Sequence, residues 1–220
     1  MSGIITIKNI SLRFIIMYNN PAEQIKAIVI DWLLERHDDI IIGNEVMYGS
    51  KRKVVDLLAI VDGKTIAIEI KSATDKLSRL QEQVAEYSKI FDRIIIMAAP
   101  SHIANVVRII DKGIGLYSTD STIKKVRAPL LNNNQDKLEM LYSISSSFLK
   151  KKFPQYKNLK ENEIRLLLSK KKKADIHQLL ISFYQCRLSD RFLLFLKDRG
   201  QNTLIDDIPT LSLLTLVNES

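Results

Sequence analysis

Apolar positions first recur at helical spacing after the break at Asn19-Asn20-Pro21. Ile25, Ile28, Val29, Trp32 and Leu33 predict an amphipathic helix over residues 22–36, with Pro21 tolerated in its first turn. Residues 1–20 alternate only weakly and admit either a short hairpin or a helix. A strand-rich block follows. Ile40-Ile41-Ile42 and Glu45-Val46-Met47-Tyr48 read as a first strand, Gly49 to Lys53 as a basic turn, and Val54 to Val61 as a second strand. Asp62-Gly63 gives a strong hairpin signal, and Lys64 to Lys71 is the return strand. Leu77, Leu80, Val84, Tyr87 and Phe91 then mark a helix over roughly residues 75–91. The continuous apolar run Ile94 to Ala98 fits a strand buried on both faces. Pro100-Ser101 opens a helix with Ile103, Val106, Val107 and Ile110 on one face, and Gly113 to Tyr117 reads as one more strand. This order predicts an α/β mixed sheet with helices on both faces. Ala128-Pro129 and Asn132-Asn133-Asn134 form a linker, and beyond it the pattern is helical to about Gly200. The expected division is therefore a core over 21–128 and a basic helical C-terminal extension over 130–200.

The hairpin can be read in register. A two-residue turn at Asp62-Gly63 pairs Val61 with Lys64, and counting back along both strands sets Asp56 opposite Glu69, with Lys71 on the same face as Glu69. Val55, Leu57, Ala59, Val61, Ile66, Ile68 and Ile70 fall on the other face, an apolar set suited to a core. Opposed carboxylates lie roughly 5 Å apart at Cβ and repel, so the pair is unfavourable unless a cation sits between them. Oxygen donors without Cys or a local His favour Mg²⁺, or Mn²⁺, over Zn²⁺.

Composition narrows the class. The 220 residues are 46% hydrophobic and 26% charged, with 7 Gly and 5 Pro, which excludes a disordered or low-complexity chain. The lone Cys186 and three scattered histidines exclude an internal disulfide and a Cys-based zinc site, and point to a reducing cytoplasm. No apolar run approaches the roughly 18 residues of a membrane helix, and the first residues turn polar too early for a signal peptide. The formal charge of +8 is unevenly spread. Residues 1–100 hold 13 basic and 13 acidic side chains, residues 101–220 hold 20 and 12, and Ser121 to Lys173 alone hold 14 and 4. Such density is the footprint of a polyanion binder, or else a solvated lysine-rich helical face.

Asp56, Glu69-Ile70-Lys71 on this hairpin resembles the PD-(D/E)XK nuclease superfamily, whose restriction-endonuclease-like fold includes the Holliday-junction resolvases. Val55 stands where the motif name has proline. The resemblance covers residues 21–120. It extends to small bacterial members through Ile68-Glu69-Ile70-Lys71-Ser72, the run from Asp75 through Leu77-Ser78-Arg79-Leu80 and Gln83 to Tyr87, and Phe91-Asp92. It implies a restriction-endonuclease-like core and a Mg²⁺-dependent nuclease acting on DNA. Asp56, Glu69 and the Ile70 carbonyl would hold the metal, and Lys71 would orient the attacking water and offset phosphate charge. Glu45 is the preferred upstream acid and Glu23 the alternative. Gln83 would point toward the site, or else lie on a solvated helix face, and Tyr87 would pack with Leu80 and Val84 with its hydroxyl at the rim. A catalytically silent DNA-binding or regulatory module of the same fold, or an RNA-directed nuclease, are the rival readings. A homodimer is compatible with either.

Lys150-Lys151-Lys152 and Lys170-Lys171-Lys172-Lys173 bracket a short helix with Ile164, Leu167 and Leu168, ahead of a second helix from about Asp175. Without a sharp Gly turn, a backbone-gripping cap is preferred to a helix-turn-helix, with a solvated pair as the remaining reading. His37-Asp38 finds no partner histidines, since His102 reads as first-turn and His177 as helix surface. Gly49-Ser50-Lys51 lacks the Gly-rich lead of a phosphate loop, and Cys186 reads as a small buried hydrophobe.

Overall fold

The computed structural model describes residues 21–213, so the N-terminal alternation read above lies outside the described residues. Among the described residues six strands form one sheet in chain order: β1 (Ile40–Tyr48), β2 (Lys53–Val61), β3 (Lys64–Lys71), β4 (Arg93–Ala98), β5 (Gly115–Thr119) and β6 (Ile123–Arg127). The β1–β2, β2–β3 and β5–β6 pairs are antiparallel, and β3–β4 and β4–β5 are parallel. Parallel neighbours need crossovers, which α2 (Leu80–Ser88) and α3 (Ile103–Ile109) supply. The protein is thus α/β with a mixed sheet. Strand β6 has no counterpart in the sequence reading, because Lys124, Lys125 and Arg127 break any apolar alternation; charges of this kind blunt a sheet edge.

The helix before the sheet, α1 (Pro21–Leu34), starts on Pro21 with Glu23 in its first turn and buries Ile25, Val29, Ile30 and Leu33. It packs on the face carrying Leu57, Ala59, Ile66, Ile68 and Ile70. The opposite face carries Leu58, Ile60, Ala67, Ile94 and Ile96, and is covered by α2, α3 and the C-terminal helices. There Tyr48, Tyr87 and Phe91 meet with ring centroids 5.3–5.9 Å apart, each contact contributing roughly 0.5–1.5 kcal/mol beyond its area.

Beyond the linker come α4 (Lys137–Ser143), α5 (Ser146–Lys152), α6 (Glu161–Leu168) and the 26-residue α7 (Lys173–Asp198). Met140, Leu149, Ile164 and Leu180 join the same core as the sheet residues, so this helical segment is a layer of that core. Helix α7 passes β1 at Gly43, where an added Cβ would meet Leu188 Cδ2 at 2.6 Å. Its earlier residues belong to one core and its last turns, with Phe192 and Phe195, to the other. A closing 3₁₀ segment, Ile205–Leu211, ends beside β1, where Asn44 bridges Ser212 and donates Nδ2 to its hydroxyl at 2.7 Å.

Four local expectations are corrected. Val55 leaves the apolar face predicted for it and joins the opposite core, because β2 changes face at Asp56. Val107 is 46% exposed, since α3 is only seven residues long and buries Val106. Cys186 is exposed on α7. His177 is 12% exposed at its side chain and bonds Asp92 through Nε2 at 2.7 Å, so it is no surface residue.

Candidate functional site

The observed β2–β3 register pairs Val61 with Lys64 and Leu57 with Ile68, as the hairpin turn requires. The ladder stops there, one residue short of Asp56 and Glu69. The β2–β3 ladder ends at Leu57–Ile68, and the Ile70 amide, without a ladder partner on β2, donates to Asp56 Oδ2 at 2.8 Å. On its other side Asp56 lies across from Glu45, between the ladder pairs Asn44–Leu57 and Val46–Val55. Glu45 has a φ of 51°, a left-handed conformation that non-glycine residues rarely adopt. The same irregularity that turns Val55 to the other core sets Asp56 between Glu45, its register neighbour on β1, and the Ile70 amide of β3.

Glu69 is 2% exposed at its side chain and is held by three donors. Lys71 Nζ lies 2.7 Å and Gln83 Nε2 2.5 Å from Oε1, and the Tyr87 hydroxyl donates to Oε2. Lys71 Nζ also reaches Gln83 Oε1 at 3.1 Å. Helix α2 thus sends Gln83 and Tyr87 down onto the strand carboxylate one turn apart. The side chain of Tyr87 is fully buried, and burial followed by the Glu69 charge pushes its phenol far above the ordinary value, which keeps it a donor. Burial, then repulsion from Glu69, raises the Asp56 carboxyl from 3.8 to about 7.

Lys26 is the member of this cluster that sequence reasoning missed. It is 4% exposed, with Nζ 2.8 Å from Glu23 and 3.6 Å from Glu45, and its charge opposes the rise at Asp56. The available signal was a lysine at helical spacing with Ile30 and Leu33, inside the apolar arc of α1. Both candidate upstream acids, Glu23 and Glu45, are thus brought to one ammonium.

Carboxylate oxygen is the donor type a hard divalent cation takes. The side-chain donors are carboxylate oxygens; Glu23 and Glu45 pair with Lys26 and Glu69 with Lys71, and Asp56 is raised by its burial first and by the Glu69 charge second. A carboxylate offers about four lone-pair sites, so Glu69, with three donors, retains one. Among the described residues no group of three or more His, Cys, Asp and Glu side chains is gathered closely enough to hold a metal. A cation at Asp56 and Glu69 would need backbone or water oxygens to fill its shell.

The lysine clusters separate. Lys151, Lys152 and Lys171 are exposed along recesses beside α5 and α7, whereas Lys173 Nζ is tied to the Asn133 carbonyl at 2.8 Å. Lys150 is half-buried at the end of α5, and Lys170 and Lys172 stand exposed in the turn before α7. No helix among the described residues is long and apolar enough to cross a membrane.

In a comparison with solved structures, the fold is similar to the SPO1766 protein of unknown function from Silicibacter pomeroyi, with a TM-score of 0.48 and 15% identity over 83% of this chain and 97% of that one. In sequence, the chain is 28% identical over 115 residues to "Protein cII" of Enterobacteria phage P4, covering 51% of this chain and 43% of that relative's length. The family model described as "Bacteriophage P4 protein cII" matches residues 18–212, a span that takes in the whole sheet, the Asp56–Glu69 cluster and the C-terminal helices. The chain belongs to the bacteriophage P4 protein cII family.

Proposed function

We propose that this protein is a metal-dependent nuclease that hydrolyses DNA phosphodiester bonds, in keeping with its resemblance to the PD-(D/E)XK superfamily. The observation that carries the reading is the meeting of Asp56, Lys71 and Gln83 around the buried Glu69 carboxylate where the β2–β3 ladder ends. A structural salt bridge needs neither a second acid nor a glutamine aimed at the first. Asp56, Glu69 and the Ile70 carbonyl would hold Mg²⁺ or Mn²⁺, which supplies Lewis-acid stabilisation of phosphoryl charge and a more acidic water. Gln83 and Tyr87 fix the Glu69 carboxylate, and the Ile70 amide holds Asp56 Oδ2. Lys71, already bonded to Glu69 and Gln83, is placed to orient water and to offset charge developing on the phosphate. Water oxygen bonds to phosphorus, the ester P–O bond breaks, and the proton ends on the departing alkoxide.

A second reading has its own support. Glu69 is so fully engaged by Lys71, Gln83 and Tyr87 that the cluster is stable without a metal, as a catalytically silent DNA-binding module would require. One experiment separates the readings: linear, circular, branched and single-stranded DNA, with RNA of matched sequence, incubated with Mg²⁺, Mn²⁺ or EDTA. Metal-dependent cleavage of DNA supports the nuclease, binding without cleavage under every condition supports the silent module, and cleavage of RNA alone reassigns the substrate.

A further inference from the structure

Three recesses adjoin along the C-terminal helices. The first, of about 380 Å³, begins at Glu45 and includes Arg52, Arg165 and Arg187. The second, of about 470 Å³, shares Arg187 with it and continues to Lys151, Lys152 and Phe148. The third, of about 230 Å³, shares Lys152 with the second and ends at Phe153 and Lys171. The shared residues place them in series from Glu45, across the register from Asp56, to Lys171; Asp56, Glu69 and Lys71 themselves line none of the three. Six cations line the recesses against three acids, Glu45, Glu161 and Asp175, and Glu161 is already engaged by Ser146 and Arg165.

The pattern along the recesses is cation beside ring. The Arg187 guanidinium lies 5.8 Å from the Phe183 ring centre, Lys171 Nζ 5.6 Å from that of Phe153, and Arg165 5.0 Å from that of Tyr142. Tyr142, Phe148 and Phe153 are half-buried, leaving ring surface open to the recesses. Arg52, Arg187 and Lys151 make no ion pair among the described residues, so their charge is available to a ligand. Base stacking on aromatic faces combined with backbone neutralisation is how single strands are held without sequence preference. A duplex hides its base faces and gives the rings nothing to stack on, and recesses of a few hundred Å³ are sized for individual small groups.

We propose that this series of recesses binds single-stranded DNA along the C-terminal helices, with one end of the strand at Glu45. The choice of DNA over RNA rests on the function proposed above; the choice of a single strand rests on the recesses themselves.

The test measures binding in EDTA, where no metal-dependent cleavage occurs, so its outcome is independent of whether the protein is a nuclease. Fluorescence anisotropy with a labelled 20-mer of single-stranded DNA, its duplex and its RNA equivalent is read across a salt series. The intact protein should bind the single strand at least 10-fold more tightly than the duplex. R187Q combined with K171Q, both at exposed positions, should weaken single-strand binding by 10-fold or more and flatten the slope of log affinity against log salt by about 1.4, at roughly 0.7 per phosphate contact. The charge-matched pair K124Q and K125Q on β6, outside the recesses, should leave affinity and slope unchanged. Tighter binding of duplex, tighter binding of RNA, or equal effects from the two double variants would each overturn the proposal.

Discussion

Nε2 of His177 lies 2.7 Å from Oδ2 of Asp92, across 85 residues of sequence. The same oxygen accepts the Thr65 amide at 2.8 Å and the Thr65 hydroxyl at 3.0 Å, so one carboxylate joins β3, the approach to β4 and the start of α7. His177→Ala leaves this buried acceptor one donor short and should destabilise by about 1–3 kcal/mol, read as a lower urea midpoint with an unchanged slope. A midpoint equal to wild type would show the bond to be idle.

Burial pushes the Asp92 carboxyl up, but the hydrogen bonds from His177 and Thr65 outweigh it and leave the group below its ordinary 3.8. A folded-state value below the unfolded one contributes stability that is present above pH 3.8 and lost as pH falls through the folded value. Asp92→Asn should therefore remove part of the stability loss seen on acidification below about pH 4. Parallel acid melts of wild type and variant check this.

Asp56 has the opposite sign. Its folded value of about 7 exceeds the ordinary 3.8, so its contribution is fully present below the latter and lost as pH rises through the former. Asp56→Asn should accordingly raise the thermal midpoint at pH 8 and leave it nearly unchanged at pH 4. A metal held as proposed would have to displace the proton, so Mg²⁺ affinity should climb between pH 5 and pH 8 with proton release near pH 6. Titration calorimetry in two buffers of different ionisation enthalpy measures that release, and affinity independent of pH would detach Asp56 from the metal.

If the proposed nuclease chemistry holds, Asp56→Asn should abolish Mg²⁺-dependent cleavage and leave DNA affinity within about threefold, because it would remove a proposed metal ligand and no phosphate-contacting cation. Lys71→Ala should keep metal binding and lower turnover by roughly 10²-fold or more, the usual scale for a group acting on developing charge. Wild-type cleavage by either folded variant would remove that residue from the proposed chemistry.

Lys26 and the two upstream acids offer a finer discrimination. Lys26→Met removes a cation that holds Asp56 down, so the pH midpoint of Mg²⁺ affinity should move upward. Glu45→Gln, across the register from Asp56, should weaken Mg²⁺ by about 10-fold, on the scale of a supporting acid near a metal. Glu23→Gln should matter less, because its acid closes on Lys26 at 2.8 Å. The reverse order would place Glu23 nearer the ion.

The hairpin was legible because Asp62-Gly63 forces a two-residue turn and every later position follows by counting; the β2 and β3 boundaries differ from the expected ones by one residue at most. The shared neighbourhood of Asp56, Glu69 and Lys71 was legible for the same reason, whereas Gln83 was suggested by the family resemblance alone, since helical spacing equally allowed it a solvated face. Counting could not show that the ladder would end at Leu57–Ile68, since the end of a ladder and the positive φ of Glu45 leave no mark on composition. Lys26 was concealed by the habit of assigning a lysine to solvent, and β6 by its own charges. The Asp92–His177 bond joins residues whose local patterns carry no information about each other.

The seating of Ser212 against Asn44 bears on self-association. Among the described residues the outer rim of β1 has no neighbouring strand, and the closing segment meets it where Asn44 and Ser212 bridge. A chain cut after Gly200 would bare that rim, a template onto which a second molecule can add its own strand. Such a fragment should polymerise edge to edge as its concentration rises.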